Sequence, residues 1–115
     1  MVIYLAKKLD DMKKYGPIYD LSMEPEDRVE TYAFDVAENE WLLNTIVDSI
    51  NAKCGTLLDD GDYDYISADK CSNLKEVLEE VDLNSVPDKN RLLVKKMLEY
   101  ADRAIEYNTG MAIEL

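Results

Sequence analysis

The chain has 115 residues, no His, and 25 acids against 13 bases, a formal net charge of −12. The length is that of one domain, residues 1–115, long enough to bury about two-thirds of its unfolded surface without metal or disulfide staples. Without His, imidazole general bases, Ser-His and Cys-His nucleophile pairs and HExxH zinc sites are all excluded.

In chain order, Val2-Ile3-Tyr4-Leu5-Ala6 is β-branched and aromatic enough to predict a short strand. Leu9 and Met12 then sit at helical spacing, and Gly16-Pro17 ends whatever forms there. Two periods compete over residues 24–36. Pro25-Glu26-Asp27 suits the first turn of a helix, because Pro loses nothing there and acids complement the dipole. Against that, Tyr32, Phe34 and Val36 alternate as in a half-buried strand. Helix is the expectation over this stretch.

Asp35 or Asn39 is suited to cap a helix running to about Ala52, with Trp41, Leu42, Thr45, Ile46, Ser49 and Ile50 as its core stripe. On that stripe Trp41 reads as core. Ser67 is a good N-cap for a helix carrying Cys71, Leu74, Val77, Leu78 and Val81. The last helix opens at Ser85-Val86-Pro87-Asp88, presents Leu93, Val94, Met97, Leu98, Ala101, Ala104 and Ile105, and stops at Asn108 and Gly110. Met111–Leu115 again has strand character. The predicted fold class is mainly α within α+β: a compact bundle of about four to five helices, with a small sheet formed by short N- and C-terminal strands.

Charge is distributed unevenly. Residues 1–15 carry four Lys and two Asp, residues 16–69 fourteen acids against Arg28 and Lys53, and residues 70–115 nine acids against seven bases. The imbalance therefore belongs to the middle segment. An acidic excess repels phosphate backbones and anionic lipid, so direct nucleic-acid or membrane binding is not expected and a basic protein partner is. Apolar runs fall far below the roughly 20 residues that span a bilayer, and no charged, apolar and small-residue leader precedes the first strand. A cytoplasmic protein with Cys54 and Cys71 as reduced, buried thiols is the expectation.

The segment from Leu57 to Ile66 packs Asp59, Asp60, Asp62 and Asp64 with Tyr63 and Tyr65 into seven residues, in a loop between two predicted helices. Asp60, Asp62 and Asp64 have the opening spacing of an EF-hand, but Tyr65 stands where the turn wants Gly and Cys71 where a bidentate Glu is required. No metal or other cofactor is therefore expected. Tyr offers amphipathic area at low entropic cost and Asp accepts paired hydrogen bonds from Arg, so the segment suits a basic partner. The competing reading is a solvated turn whose tyrosines fold onto the core. Glu26, Asp27 and Glu30 are supporting partner-binding charges, since like charges on one helix face weaken it unless an external counter-charge answers them. Nothing places these acids in a cleft as general acid-base work needs. The serines lack a G-x-S-x-G setting, and there is no glycine-rich phosphate loop. No enzymatic role is expected.

In size, in sign of charge and in the Leu57-to-Val81 run of acidic Tyr-Asp segment leading into an amphipathic helix, the chain resembles the small acidic immunity proteins of contact-dependent growth inhibition and other polymorphic-toxin systems. The likeness is one of type, and members of that class share no fold. It implies cytoplasmic, one-to-one binding and neutralisation of a cognate basic toxin domain, often a nuclease whose cleft is covered. Two alternatives from other classes are a nucleic-acid mimic that blocks DNA-binding proteins and a small metal-binding module using the aspartates.

Overall fold

The run Val2–Ala6 has no polar residue to turn towards water, and a strand of that kind belongs where both sheet faces are covered. A computed structural model, which describes all 115 residues, places it there. Strand β1 (Val2–Ala6) pairs antiparallel on one side with β4 (Val29–Ala33) and on the other with β6 (Gly110–Glu114), and β6 pairs with β5 (Tyr63–Ser67). The order is β4-β1-β6-β5. The two terminal strands are thus neighbours, as their composition suggested, but they form the middle of a four-stranded sheet.

Alternation sends Ile3, Leu5, Ile66, Met111 and Ile113 to one face, under helices α1 (Val36–Thr45), α2 (Val47–Cys54), α3 (Ala68–Glu79) and α4 (Asp88–Tyr107). The stripe predicted for α4 holds at Leu93, Val94, Met97, Ala101 and Ala104, all fully buried, and Tyr100 joins them. Asn108, with a φ of 54°, ends this helix in the left-handed conformation that Asn tolerates. Tyr4, Ala6, Val29, Tyr65 and Ala112 face the other way. They are covered by residues 7–28, whose Met12 and Leu21 are buried against them. Within that cover, β2 (Lys14–Tyr15) and β3 (Ile18–Tyr19) form a hairpin turned by Gly16-Pro17.

Four local expectations are corrected, the first being that Tyr63–Ser67, expected in a loop and at the start of the next helix, pair with β6 as a strand. Pro25 does start a turn, with the amides of Arg28 and Val29 donating to its carbonyl at 3.0 and 3.1 Å. The chain then extends into β4, because pairing with β1 satisfies five residues' worth of backbone that one turn cannot. Leu9 and Met12 are three apart because of a tight turn, the Met12 amide donating to the Leu9 carbonyl at 3.2 Å, with no helix around it. The single helix expected to run to Ala52 breaks at Ile46 (φ −121°), where the Thr45 hydroxyl donates to the Trp41 carbonyl, a back-bond that bends helices. The start of α1 follows the sequence closely: Asp35 and Glu38 cap each other's amides at 2.9 and 3.3 Å.

Cys54 and Cys71 are free and buried in the helical layer, and burial pushes their thiols up to about 11 and about 12. On the hairpin face, Gly110 is required by close approach: a Cβ there would lie 2.1 Å from Tyr65 Oη. The Tyr65 ring crosses that space so that its hydroxyl donates to the Thr109 carbonyl at 3.2 Å. Gly110→Ala is expected to cost about 1–3 kcal/mol, the usual range for overpacking, measured by urea denaturation. In a Tyr65→Leu background the same substitution is expected to cost much less, and equal costs in both backgrounds would refute the contact.

Candidate partner-binding surface

The acidic segment is held on a rigid base. Helix α2 ends at Gly55, and the Asn51 side chain then clamps the next three residues: its Oδ1 accepts from Thr56 Oγ1 at 2.7 Å and from the Leu58 amide at 2.8 Å, while its Nδ2 donates to the Leu58 carbonyl at 2.9 Å. Thr56 and Leu58 are buried. The Asp62 amide closes a turn onto the Asp59 carbonyl at 3.0 Å. That turn is pinned to the chain end by Gly61 donating to the Leu115 carbonyl at 3.1 Å and Leu115 donating to the Asp62 carbonyl at 2.8 Å. Asp59, Asp60 and Asp62 stand exposed on it.

The six residues singled out in this segment then separate. Asp59 accepts from the neighbouring Asp60 amide at 2.8 Å, and Asp60 accepts from Asn39 Nδ2 at 3.2 Å. Asn39 is buried, and its own Oδ1 has no partner. Asp64 lies within β5, and its carboxylate receives the amides of Leu57 at 2.9 Å and Tyr65 at 2.8 Å. Tyr65 N–H points out of the sheet, so Asp64 shields part of the open edge of β5, a place where bare backbone invites unwanted pairing. Tyr63 and Tyr65 fall on the hairpin face by alternation. Tyr63 Oη donates to the Tyr19 carbonyl at 2.6 Å and accepts from the Leu21 amide at 2.9 Å, and Tyr65 is 8% exposed. Burial pushes the Tyr63 phenol up to about 12, with Asp20, Glu114 and Asp64 adding to the rise.

Glu26, Asp27 and Glu30 do not join this surface. Tyr63 stands in one row with Glu114, Val2 and Ala33, whereas Val29 stands at the other end of the sheet beside Ala6. The two acidic stretches therefore occupy diagonal corners, about 20 Å apart at four residues and three strand spacings. Glu26 and Asp27 lie exposed in the turn before β4. Glu30 is engaged by Arg103 of α4, whose two terminal nitrogens lie 2.8 and 3.1 Å from its oxygens, and this fork holds the Glu30 carboxyl below its ordinary range.

Two acids that composition alone did not pick out belong to the Asp59–Asp62 end. Glu114 accepts from Tyr4 Oη at 2.7 Å, and Asp20 lies close enough to raise both Tyr4 and Tyr63. The parity of β6 carries the signal for Glu114, which shares the Gly110 and Ala112 face. The ion pairs of the molecule are Lys75–Asp102, Lys89–Asp35, Arg91–Asp88, Lys96–Glu99, and Arg103 with Glu30 and Glu99; none involves Asp59, Asp60, Asp62, Asp20 or Glu114. No three carboxylate or thiol groups converge in a way that would hold a metal ion. Asp64 is committed to backbone amides, so the 1-3-5 spacing of Asp60, Asp62 and Asp64 does not make a ligand set. No helix is long and apolar enough to cross a membrane.

Compared with protein-family models, curated proteins and solved structures, the chain matches none.

Asp64→Ala strips two amides of their acceptor and is expected to cost about 1 kcal/mol or more, whereas Asp62→Asn is expected to stay within about 0.5 kcal/mol of wild type. Urea denaturation of both variants checks the contrast, and equal costs would contradict it. Because Arg103 lowers the Glu30 pKa, the stabilisation from this pair is fully present above the unfolded glutamate value, roughly 4.3, and is lost as pH falls through the lower folded value. The stability gap between wild type and Glu30→Gln is therefore expected to narrow as pH falls from neutral through the glutamate range. A gap that does not change with pH would exclude the carboxylate as its source.

Proposed function

We propose that this protein is a non-enzymatic immunity protein that acts in the cytoplasm, binding and neutralising one cognate basic toxin domain, a nuclease, through the surface of Asp59, Asp60 and Asp62. The observation that carries this reading is that these three exposed carboxylates sit on a clamped turn with no internal counter-charge, while Glu30 and Asp35 are matched by bases elsewhere in the chain. An uncompensated field of this kind steers a basic partner and speeds its association.

Tyr63 and Tyr65 serve as the support of that surface, since both rings are taken up by the hairpin. The apolar contact that an interface needs at its centre is supplied beside them, in a hollow of about 270 Å³ lined by Tyr15, Ile18, Asp20, Ser22 and Tyr63. Tyr15 and Ile18 are 59% and 37% exposed, and Leu57, two residues before Asp59, is 84% exposed, so apolar area is open to a partner beside the acidic turn. A nucleic-acid mimic would instead need carboxylates ranked at phosphate-like spacing over a long surface. The pairing of Glu30 with Arg103 and the separation of the two acidic corners favour a single cognate partner.

The test is binding and inhibition of the toxin domain encoded beside this gene. A one-to-one complex that blocks the nuclease is expected, with the combined Asp59→Asn, Asp60→Asn and Asp62→Asn variant associating at least about tenfold more slowly at low salt and with a flatter salt dependence. Unchanged association and salt dependence would overturn the assignment of the surface, and failure to form a complex would overturn the function.

A further inference from the structure

On the side of α1 away from Asn39, a cavity of about 330 Å³ opens to solvent where three segments meet. Trp41 and Asn39 are two residues apart, about 200° around the helix, so this cavity and the acidic turn flank α1 on nearly opposite sides. Trp41 and Ile46 line the cavity from the bend between α1 and α2, Val77 and Val81 from the end of α3, and Glu80 and Asp82 from its rim. Trp41 is half-buried: its ring packs on the core as its place on the stripe predicts, and the rest of it walls this opening.

The electrostatics have one sign. No Lys or Arg lines the cavity. Helix α3 ends against it with no base in its last turn, so the negative end of that helix adds to Glu80. The end of α1 contributes no such field, because α2 begins directly behind it and the two helix termini oppose one another. Asp82 accepts from the Asn84 amide at 3.1 Å through one oxygen, leaving its other oxygen for a further donor. Arg91 is turned onto the carbonyls of Leu83 and Val86, and its charge is answered by Asp88 at 3.0 Å.

An indole wall, an aliphatic floor and a rim of carboxylates match one side chain in each of its parts. A guanidinium stacks on Trp and pairs with carboxylates in its plane, and the methylene stem beneath it packs on Ile and Val. The volume lies at the small end of ligand sites, roughly 300–1,000 Å³. Every polar side chain is on the exposed rim and none is buried inside, which suits a residue presented by a macromolecule better than an enclosed metabolite. We propose that this cavity seats an arginine side chain of a protein partner. The site is independent of the Asp59–Asp62 surface.

Trp41 is the only tryptophan, so its emission reports the cavity directly in the intact protein. The probes are N-acetyl-arginine amide and its neutral isostere N-acetyl-citrulline amide, titrated at matched ionic strength. A saturable change with arginine and none with citrulline is expected. Glu80→Gln is expected to weaken the arginine response about tenfold, as loss of one charge-assisted contact does, with Asp82→Asn acting in the same direction while keeping an acceptor for Asn84. The combined Asp59, Asp60 and Asp62 variant is expected to respond like wild type, which separates this site from the acidic turn. Absence of a saturable response, an equal response to citrulline, or a response that survives both rim substitutions would overturn the proposal.

Discussion

The arrangement rests on β6 being hydrogen-bonded along both edges and covered on both faces. From Gly110 to Ile113 the strand is buried, and its residues must therefore satisfy two different layers at once. Met111 and Ile113 supply bulk to the helices, whereas Gly110 and Ala112 leave room on the other side for the rings of Tyr65 and its neighbours. Tyr4 and Tyr63 meet edge to face at 6.0 Å and Tyr19 tilts over Tyr65 at 5.3 Å, geometries that add to the area these rings bury. The aromatic layer exists because β6 is thin on that side. Its consequence reaches the surface, since β5 takes its register from β6 and its tyrosines are drawn inward with it.

That same register sorts the charges. Five acids, Glu30, Asp35, Asp88, Glu99 and Asp102, meet bases and are neutralised locally. Most such pairs are exposed and stabilise the fold by about 0–1 kcal/mol at most. The Glu30–Arg103 fork is the best formed, because a planar guanidinium meets both oxygens of a half-buried carboxylate. Asp59, Asp60 and Asp62 stand apart from this: their turn is tied to the end of β6, and none of them forms an ion pair. The Asp59–Asp62 turn at one end of the sheet is thus left without an internal counter-charge, and a second negative site opens beyond α1 where α3 terminates.

Much of the fold was legible. Continuous apolar runs at both chain ends identified strands, the 3.6-residue stripes of α3 and α4 identified their buried faces, and Asp35, Pro87 and Asn108 marked helix ends by chemistry that acts within a few residues. The absence of His excluded whole classes of catalysis by composition alone. The site was less legible. Asp59, Asp60 and Asp62 stand exposed as their turn chemistry suggested, but the same window contained Tyr63, Asp64 and Tyr65, whose roles are internal.

What the sequence by itself determined was local: that the first and last segments are strands, where α1, α3 and α4 begin and α4 ends, which helix faces are apolar, and where the acid is concentrated. Tertiary structure alone decided that residues 29–33 extend as a strand, that Tyr63 and Tyr65 turn inward, that Glu30 answers Arg103 across 73 positions, and that Trp41 walls an open cavity. The physical reason is the same in each case. Local propensity near Pro25 was balanced between helix and strand, and pairing with β1 tipped it. The facing of a side chain in a strand depends on register, which partners distant in sequence impose, and a cavity forms only where separate elements fail to close on one another.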